Sequence, residues 1–302
     1  MSTSYHVAVI GLGAMGMGAA RACLRAGLTT YGIDLSEQAR SQLQQAGAAA
    51  VMADARPLAE TLDAVLLLVV NATQVRRILL GDEGLARHLK PGTAIMVSST
   101  IAAEEASSLA AELAQLGLPM LDAPVSGGAI KADAGEMTVM AAGSDAAFDK
   151  LAPVLDAVAG KLYRVGSEPG QGSTVKIIHQ LLAGVHIAVA AEAMALASRA
   201  GVPLDLMYDV VTHAAGNSWM FENRMPRVLT GDYQARSAVD IFVKDLTLVA
   251  DTAKALRFPL PLASTALNMF LSASNAGHGQ EDDSAVIKTF SGITLPGREE
   301  WP

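Results

Sequence analysis

The sequence predicts an α/β chain: a doubly wound parallel sheet, then one long connecting helix, then an all-α domain. Three observations carry this. Up to about residue 166, short and continuously apolar runs alternate with helical stretches, as parallel strands do when crossover helices bury both of their faces. Residues 173–200 then run without a proline and with a single glycine, Gly184, before Gly201 and Pro203 punctuate the chain. Four more helical stretches follow, with no strand pattern among them. The expected domains are residues 1–166 and 167–302, the second opening with the long helix at about 173–200.

The first strand is expected at 6–10 and runs into Gly11-Leu12-Gly13-Ala14-Met15-Gly16. There Gly11 suits the tight turn, Gly13 a close approach of the backbone to a pyrophosphate, and Gly16 the packing of a helix on the sheet. That helix, at 15–26, stops at Gly27, and its unpaired N-terminal N–H groups and dipole favour a phosphate. A second strand, 29–33, ends on Asp34, close to the expected spacing of about 20 residues from the motif. The Asp34 carboxylate can accept a ribose 2′-OH, whereas a 2′-phosphate would meet like charge, and no base follows before Arg40. The cofactor expected is therefore NAD; the same aspartate also suits the cap of the next helix. Strands at 64–70, 94–98, 119–122, 137–141 and 162–165 complete a Rossmann-type sheet. Ligands collect at the carboxyl ends of such strands. Here those ends are Val70-Asn71, Ser98-Ser99-Thr100 and Pro124-Val125-Ser126-Gly127-Gly128. Val70 and Asn71 join the glycine motif and Asp34 as cofactor candidates.

Composition narrows the class. A chain of 302 residues with 51% hydrophobic side chains can bury two sizeable cores. With 30 acidic against 22 basic residues, the net charge of −8 excludes a nucleic-acid footprint, which needs a basic face. The single cysteine, Cys23, cannot form an internal disulfide; it fits a reducing compartment and reads as a small buried apolar residue. Residues 1–5 lead into the first strand without a basic segment and apolar core, and Gly, Asn or His punctuates the apolar stretches. A cytoplasmic protein with no membrane contact is expected.

On the long helix Lys176, Gln180 and Gly184 fall at i, i+4 and i+8 and share a face, with His179 beside them. A lysine in so apolar a helix needs explaining. Facing a cleft, it would be desolvated into the range useful for proton transfer, and hydride loss from an alcohol requires a group that takes the hydroxyl proton. The alternative is a lysine snorkelling from a surface turn. Gly127-Gly128 exposes N–H donors that suit a carboxylate.

Four motifs stand in order: the glycine hexad, Asp122-Ala123-Pro124-Val125-Ser126-Gly127-Gly128, Gly172-Ser173-Thr174-Val175-Lys176, and Lys244-Asp245-Leu246. With them the chain resembles the β-hydroxyacid dehydrogenases, the 3-hydroxyisobutyrate dehydrogenase family, over nearly its whole length. The resemblance implies that Lys176 is the general acid/base. It further implies that Ser126 with the Gly127 and Gly128 backbone holds a substrate carboxylate, and that Thr100 and Lys244 line the cofactor. One departure stands out: the family usually has Asn one turn after the lysine, where this chain has Gln180, so the substrate pose should differ. His179 and His186, on different faces, read as structural or supporting groups.

Within the family, residues 213–221, 237–245 and 281–286 resemble a branch that oxidises the C2 hydroxyl of a four-carbon sugar acid with NAD. Asn217, Ser218, His179 and Gln180 would supply the hydrogen bonds such a substrate needs, although Asn217-Ser218 before Trp219 reads equally as a helix cap. Reduction of a small aldehyde acid, oxidation of another small 3-hydroxy acid, and a non-catalytic dinucleotide-binding protein are the alternatives. Glu281-Asp282-Asp283 reads as a solvated acidic cap, and no metal site is expected. A homo-oligomer, dimer or tetramer, follows from the resemblance, with an alanine-rich helix face (Ala188, Ala190, Ala191, Ala193, Ala195, Ala197) that could pack between subunits or within one.

Overall fold

The structure, a computed structural model, describes residues 4–296; residues 1–3 lie outside the described residues, as do 297–302, the end of a tail from Thr294 that the sequence predicts to fray. Within it the apolar runs form β1 (His6–Ile10), β2 (Thr29–Ile33), β3 (Ala50–Met52), β4 (Ala64–Leu67), β5 (Ala94–Val97), β6 (Met120–Asp122), β7 (Val125–Ser126), β8 (Met137–Ala142) and β9 (Ala159–Gly166). Their order, β3-β2-β1-β4-β5-β6-β8-β7 with β9 on β8, is parallel from β3 to β6. β8 lies antiparallel to β6 and β7, because the chain carries straight on from β6 through Ala123-Pro124 into β7, and this stretch pairs with β8 on its return. The short strands β3 and β7 carry no periodicity that a sequence could reveal.

Alternation splits β1 between two cores. Val7 and Val9 join Leu66, Met96 and Leu121 on one face, and Ala8 and Ile10 join Val65, Leu67 and Ile95 on the other. Six helices cover these faces: α1 (Ala14–Arg25), α2 (Glu37–Gln45), α3 (Ala72–Leu80), α4 (Ala103–Gln115), α5 (Gly128–Ala134) and α6 (Asp145–Val158). Since β1 feeds β2 on one side and neighbours β4 on the other, the strand order reverses at β1/β4, where doubly wound sheets open their ligand crevice. Cys23, inside α1, is fully buried, and burial pushes its thiol up to about 12, so it is inert.

The chain forms two compact units, residues up to Lys176 and from Ile177, and α7 (Gln171–Arg199) runs through the junction. The second unit is helical: α8 (Leu204–Thr212), α9 (Trp219–Thr230), α10 (Val239–Ala255) and α11 (Pro261–Ala273), then short turns at Ser274–His278 and Asp283–Thr289. Its core gathers Ile187 and Met194 of α7, Met225 and Val228 of α9, and the stacked rings of Phe242 and Phe270, 5.2 Å apart. Neither Gly184 nor the two histidines interrupt α7, which is long and apolar enough to cross a bilayer by length and composition, contrary to the sequence expectation. Half of its most apolar window is nevertheless buried in the protein, as in a core helix. Gly184 lets α7 and α10 approach closely: a Cβ would meet Leu246 at 2.8 Å, and that buried side chain would have to shift. Ala188, Ala190, Ala191 and Ala195 all pack into this same core.

The acidic stretch corrects a second expectation. Asp282 caps the last turn, accepting from Ser284 N at 3.2 Å, but both Asp282 and Asp283 are wholly buried. Two arginines of α9 neutralise them: Arg224 grips Asp283 with two bonds of 2.7 and 3.0 Å, and Arg227 reaches Asp282 at 2.5 Å. Glu281 pairs with His278 at 2.9 Å and with Lys288. Among the described residues no group of three or more metal-ligating side chains exists.

Candidate active site

The glycine turn follows from backbone geometry. Gly11 sits at φ +91°, a conformation that side chains rarely adopt, and a Cβ there would press on Leu68 O at 2.8 Å. At Gly16 a Cβ would collide with Gly11 O, so the helix can start so close to the turn only because this residue is bare. Gly13 faces open space and begins α1 with no side-chain cap. The result is a helix N-terminus whose N–H groups remain available to an anion. Leu12 N donates to Asp34 Oδ2 at 2.7 Å and Ser36 N to Asp34 Oδ1 at 2.8 Å, which binds the carboxylate at the end of β2 to the turn.

Gly11, Gly13, Asp34, Leu35, Val70 and Ile78 line one cavity of about 620 Å³. An open glycine, an uncapped helix start and an oriented carboxylate fit a dinucleotide's pyrophosphate and ribose. Two nearby bases are already occupied. Arg40 donates to the carbonyls of Asp34 and Leu35 at 2.7 and 2.9 Å, and Arg56 is paired with Asp54 at 2.6 Å and with Glu83. The cavity residues Leu35 and Arg56 were not signalled by any sequence motif. Asn71 caps α3, accepting from Gln74 N at 2.9 Å, while Gln74 reaches back to Val70 N at 2.8 Å, so the Asn71 side chain is committed to the helix start.

At the end of β5, Ser98 donates to Ala123 O at 2.8 Å, Ser99 is buried and Thr100 half-buried. Ser126 closes β7, and Gly127 at φ +132° and Gly128 at φ +72° begin α5. Both φ values are reserved in practice for glycine, and the turn leaves α5 without a side-chain cap. Lys176 lies in the second turn of α7 with only 6% of its surface exposed. A snorkelling side chain would show far more. The buried Asp122 carboxylate receives Gly170 N, Ser173 N and Ser173 Oγ at 2.7 to 2.8 Å. Burial lifts its carboxyl above the ordinary range, and the bonds from Ser173 and Gly170 offset this only in part.

In the second unit a linked polar set has formed. Gln180 Nε2 donates to Asp245 Oδ2 at 2.5 Å, Lys244 pairs with Asp245 Oδ1 at 2.7 Å, and His179 Nδ1 lies 3.0 Å from Gln180 Oε1. Since an amide oxygen only accepts, His179 carries its proton on Nδ1. Asp245, 2% exposed, was absent from the sequence candidates and is the hub of this set. Ser218, not Asn217, caps α9, accepting from Phe221 N at 3.1 Å. Asn217 Oδ1 is buried without a hydrogen-bond partner among the described residues.

Fold and glycine turn together define a nicotinamide-dinucleotide oxidoreductase, and comparison with known proteins narrows the class. Residues 6–166 match the NAD binding domain of 6-phosphogluconate dehydrogenase, and residues 170–290 match the family described as NAD-binding of NADP-dependent 3-hydroxyisobutyrate dehydrogenase. The chain belongs to the 3-hydroxyisobutyrate dehydrogenase family of hydroxy-acid dehydrogenases. It is 71% identical over 295 residues to L-threonate dehydrogenase of Escherichia coli K12, covering 98% of each chain. It is 54% identical to that of Cupriavidus necator, with 98% of this chain and all of that one covered. A crystal structure named 3-hydroxyisobutyrate dehydrogenase, from Salmonella typhimurium, superposes with a TM-score of 0.92 at 70% identity, covering 95% of this chain and 100% of that one. Relatives at nearly equal identity thus carry different substrate names.

Proposed function

We propose that this protein is an NAD-dependent dehydrogenase that oxidises L-threonate at its C2 hydroxyl to the 2-oxo acid, with Lys176 as general base. NAD, when bound, accepts the hydride from the carbinol carbon. Ser126 and the N–H groups of Gly127 and Gly128 hold the substrate carboxylate, and a neutral Lys176 amine takes the hydroxyl proton as the C–H bond breaks. Asp34 selects the unphosphorylated ribose. The observation that carries the choice of substrate is the polar set of the second unit: His179, Gln180, Asp245 and Lys244, with the buried Asn217 oxygen. The hydroxyls of a polyol acid can join such a network of hydrogen bonds, whereas a branched apolar acid brings it no hydrogen-bonding group beyond its one hydroxyl and its carboxylate. The test is NADH formation across a panel of L-threonate, 3-hydroxyisobutyrate and L-serine, with tartronate semialdehyde assayed in the reductive direction. L-Threonate is expected to exceed the others in kcat/KM by about a hundredfold or more. A higher value for any other compound overturns the substrate, and NAD binding without turnover on all of them overturns the enzyme.

A cytoplasmic homo-oligomer completes the proposal. The inert, unpaired Cys23 suits a reducing compartment. Exposed on α7 are Ile178, Leu182, Val189 and Leu196, with Val185 half-buried between them. An antiparallel second copy centred on Ile187 places Ile178 against Leu196, Val185 against Val189 and Leu182 against Glu192, so two of these three contacts are apolar on both sides, in the manner of a two-fold interface. Leu182→Glu combined with Val189→Glu should convert the protein to a monomer in light scattering at micromolar concentration; an unchanged mass overturns this interface.

A further inference from the structure

We infer that Asp122 is a positioning residue for the hydroxy-acid reaction: its carboxylate ties the first turn of α7, and so Lys176, to the strand that continues into the Ser126-Gly127-Gly128 loop. This rests on the proposed role of Lys176. The start of α7 has no cap of its own making, because Gly170 stands before it at φ +104°. Its first-turn N–H groups therefore need an acceptor, and Asp122 brings one from a strand about fifty positions earlier in the chain. Asp122 Oδ2 accepts from Gly170 N and Ser173 N, both at 2.8 Å, and Oδ1 from Ser173 Oγ at 2.7 Å. All three partners act as donors, so the site is built for a carboxylate. A carboxylate with no exposed surface is costly to bury unless such donors converge on it.

The surroundings leave little play. A Cβ on Gly172 would stand 2.6 Å from Met140 O and against the backbone oxygen of Asp122 itself. A Cβ on Gly170 would stand 2.5 Å from Ser107 Oγ, and Ser107 donates to Pro169 O at 2.7 Å. On the other side of Asp122 the strand is equally fixed: Ala123 N donates to Val97 O at 2.8 Å, and Met140 N to Pro124 O at 3.0 Å. One carboxylate thus joins the strand that leads, four residues on, to the groups proposed to hold the substrate and the helix turn that leads, three residues beyond Ser173, to the lysine proposed to take its proton. Displacement of that lysine by a fraction of an ångström slows proton transfer without changing what binds.

The experiment compares Asp122→Asn and Ser173→Ala with the wild type and with Lys176→Ala, using the full chain, NAD and the panel substrate that the wild type turns over best. Asparagine keeps the shape and an acceptor for the two backbone N–H groups, but it removes the charge and makes Ser173 turn its hydroxyl from donor to acceptor. Asp122→Asn is expected to lower kcat by about a hundredfold and Ser173→Ala by about tenfold, with KM within about threefold and NAD affinity unchanged. A kcat within twofold of wild type in Asp122→Asn overturns the inference. So does activity that falls only in step with NAD affinity, which marks a purely structural role. If Asp122→Asn does not fold, Ser173→Ala decides by the same criteria. Normal turnover in Lys176→Ala overturns the role of the lysine instead, whatever Asp122 does.

Discussion

Replacing Lys176 by alanine is expected to lower kcat by about 10²–10⁴-fold while NAD binding stays as it was. That loss corresponds to about 3–5 kcal/mol of transition-state stabilisation at 1.36 kcal/mol per decade. The expectation follows from location: Lys176 is 6% exposed in an apolar helix, where a lysine is rare unless its amine is paired or used in chemistry. Stopped-flow hydride transfer with L-threonate, alongside an NAD titration, checks it. A kcat within tenfold of wild type removes Lys176 from the chemistry. Arginine at this position keeps the charge but cannot give up its proton, so Lys176→Arg should be as inactive as the alanine variant.

The second large effect is on stability. Asp283→Ala is expected to cost about 3–5 kcal/mol, because it leaves Arg224, 7% exposed, without the carboxylate that it grips at two points. In calorimetry of the full chain this should lower the transition that includes the second unit by on the order of 10 °C. A control sets the scale. Arg76 reaches Glu112 at 2.8 Å, but the glutamate side chain is 44% exposed, and Glu112→Ala should change stability by no more than about 1 kcal/mol. Equal effects of the two substitutions would show that burial does not govern these pairs.

What the sequence revealed and what it hid differ in range along the chain. The glycine turn, Asp34 and the strands flanking them are encoded within some thirty residues, each by a backbone requirement or an unbroken apolar run, and they appear where the spacing places them. α7 was legible for the same reason, as uninterrupted helical sequence. The acidic stretch looks solvated in the sequence because the arginines that neutralise it lie 55 and 59 positions earlier, and no local pattern separates a solvated aspartate from one paired across the fold. Asp122 shows in the sequence only as part of a motif, since its partners are 48 and 51 residues away. Asp245 stood inside another motif with nothing to mark it as the anchor of Gln180. The alanines of α7 offered two uses, and packing against α9, α10 and α11 took most of them, which left the larger aliphatic side chains outside.

The occupied arginines beside the cavity have a consequence for evolvability. Acquiring a 2′-phosphate cofactor requires a free cation as well as the loss of Asp34. Arg40 is already holding the loop that follows β2, and Arg56 is shared between two carboxylates. A third arginine, Arg77, lines the same cavity. Removing Asp34 therefore takes away a repulsion and leaves attraction of a 2′-phosphate to Arg77, or to Arg40 or Arg56 once released from their present partners. Allegiance to NAD is set by the side chains around the carboxylate as well as by the carboxylate.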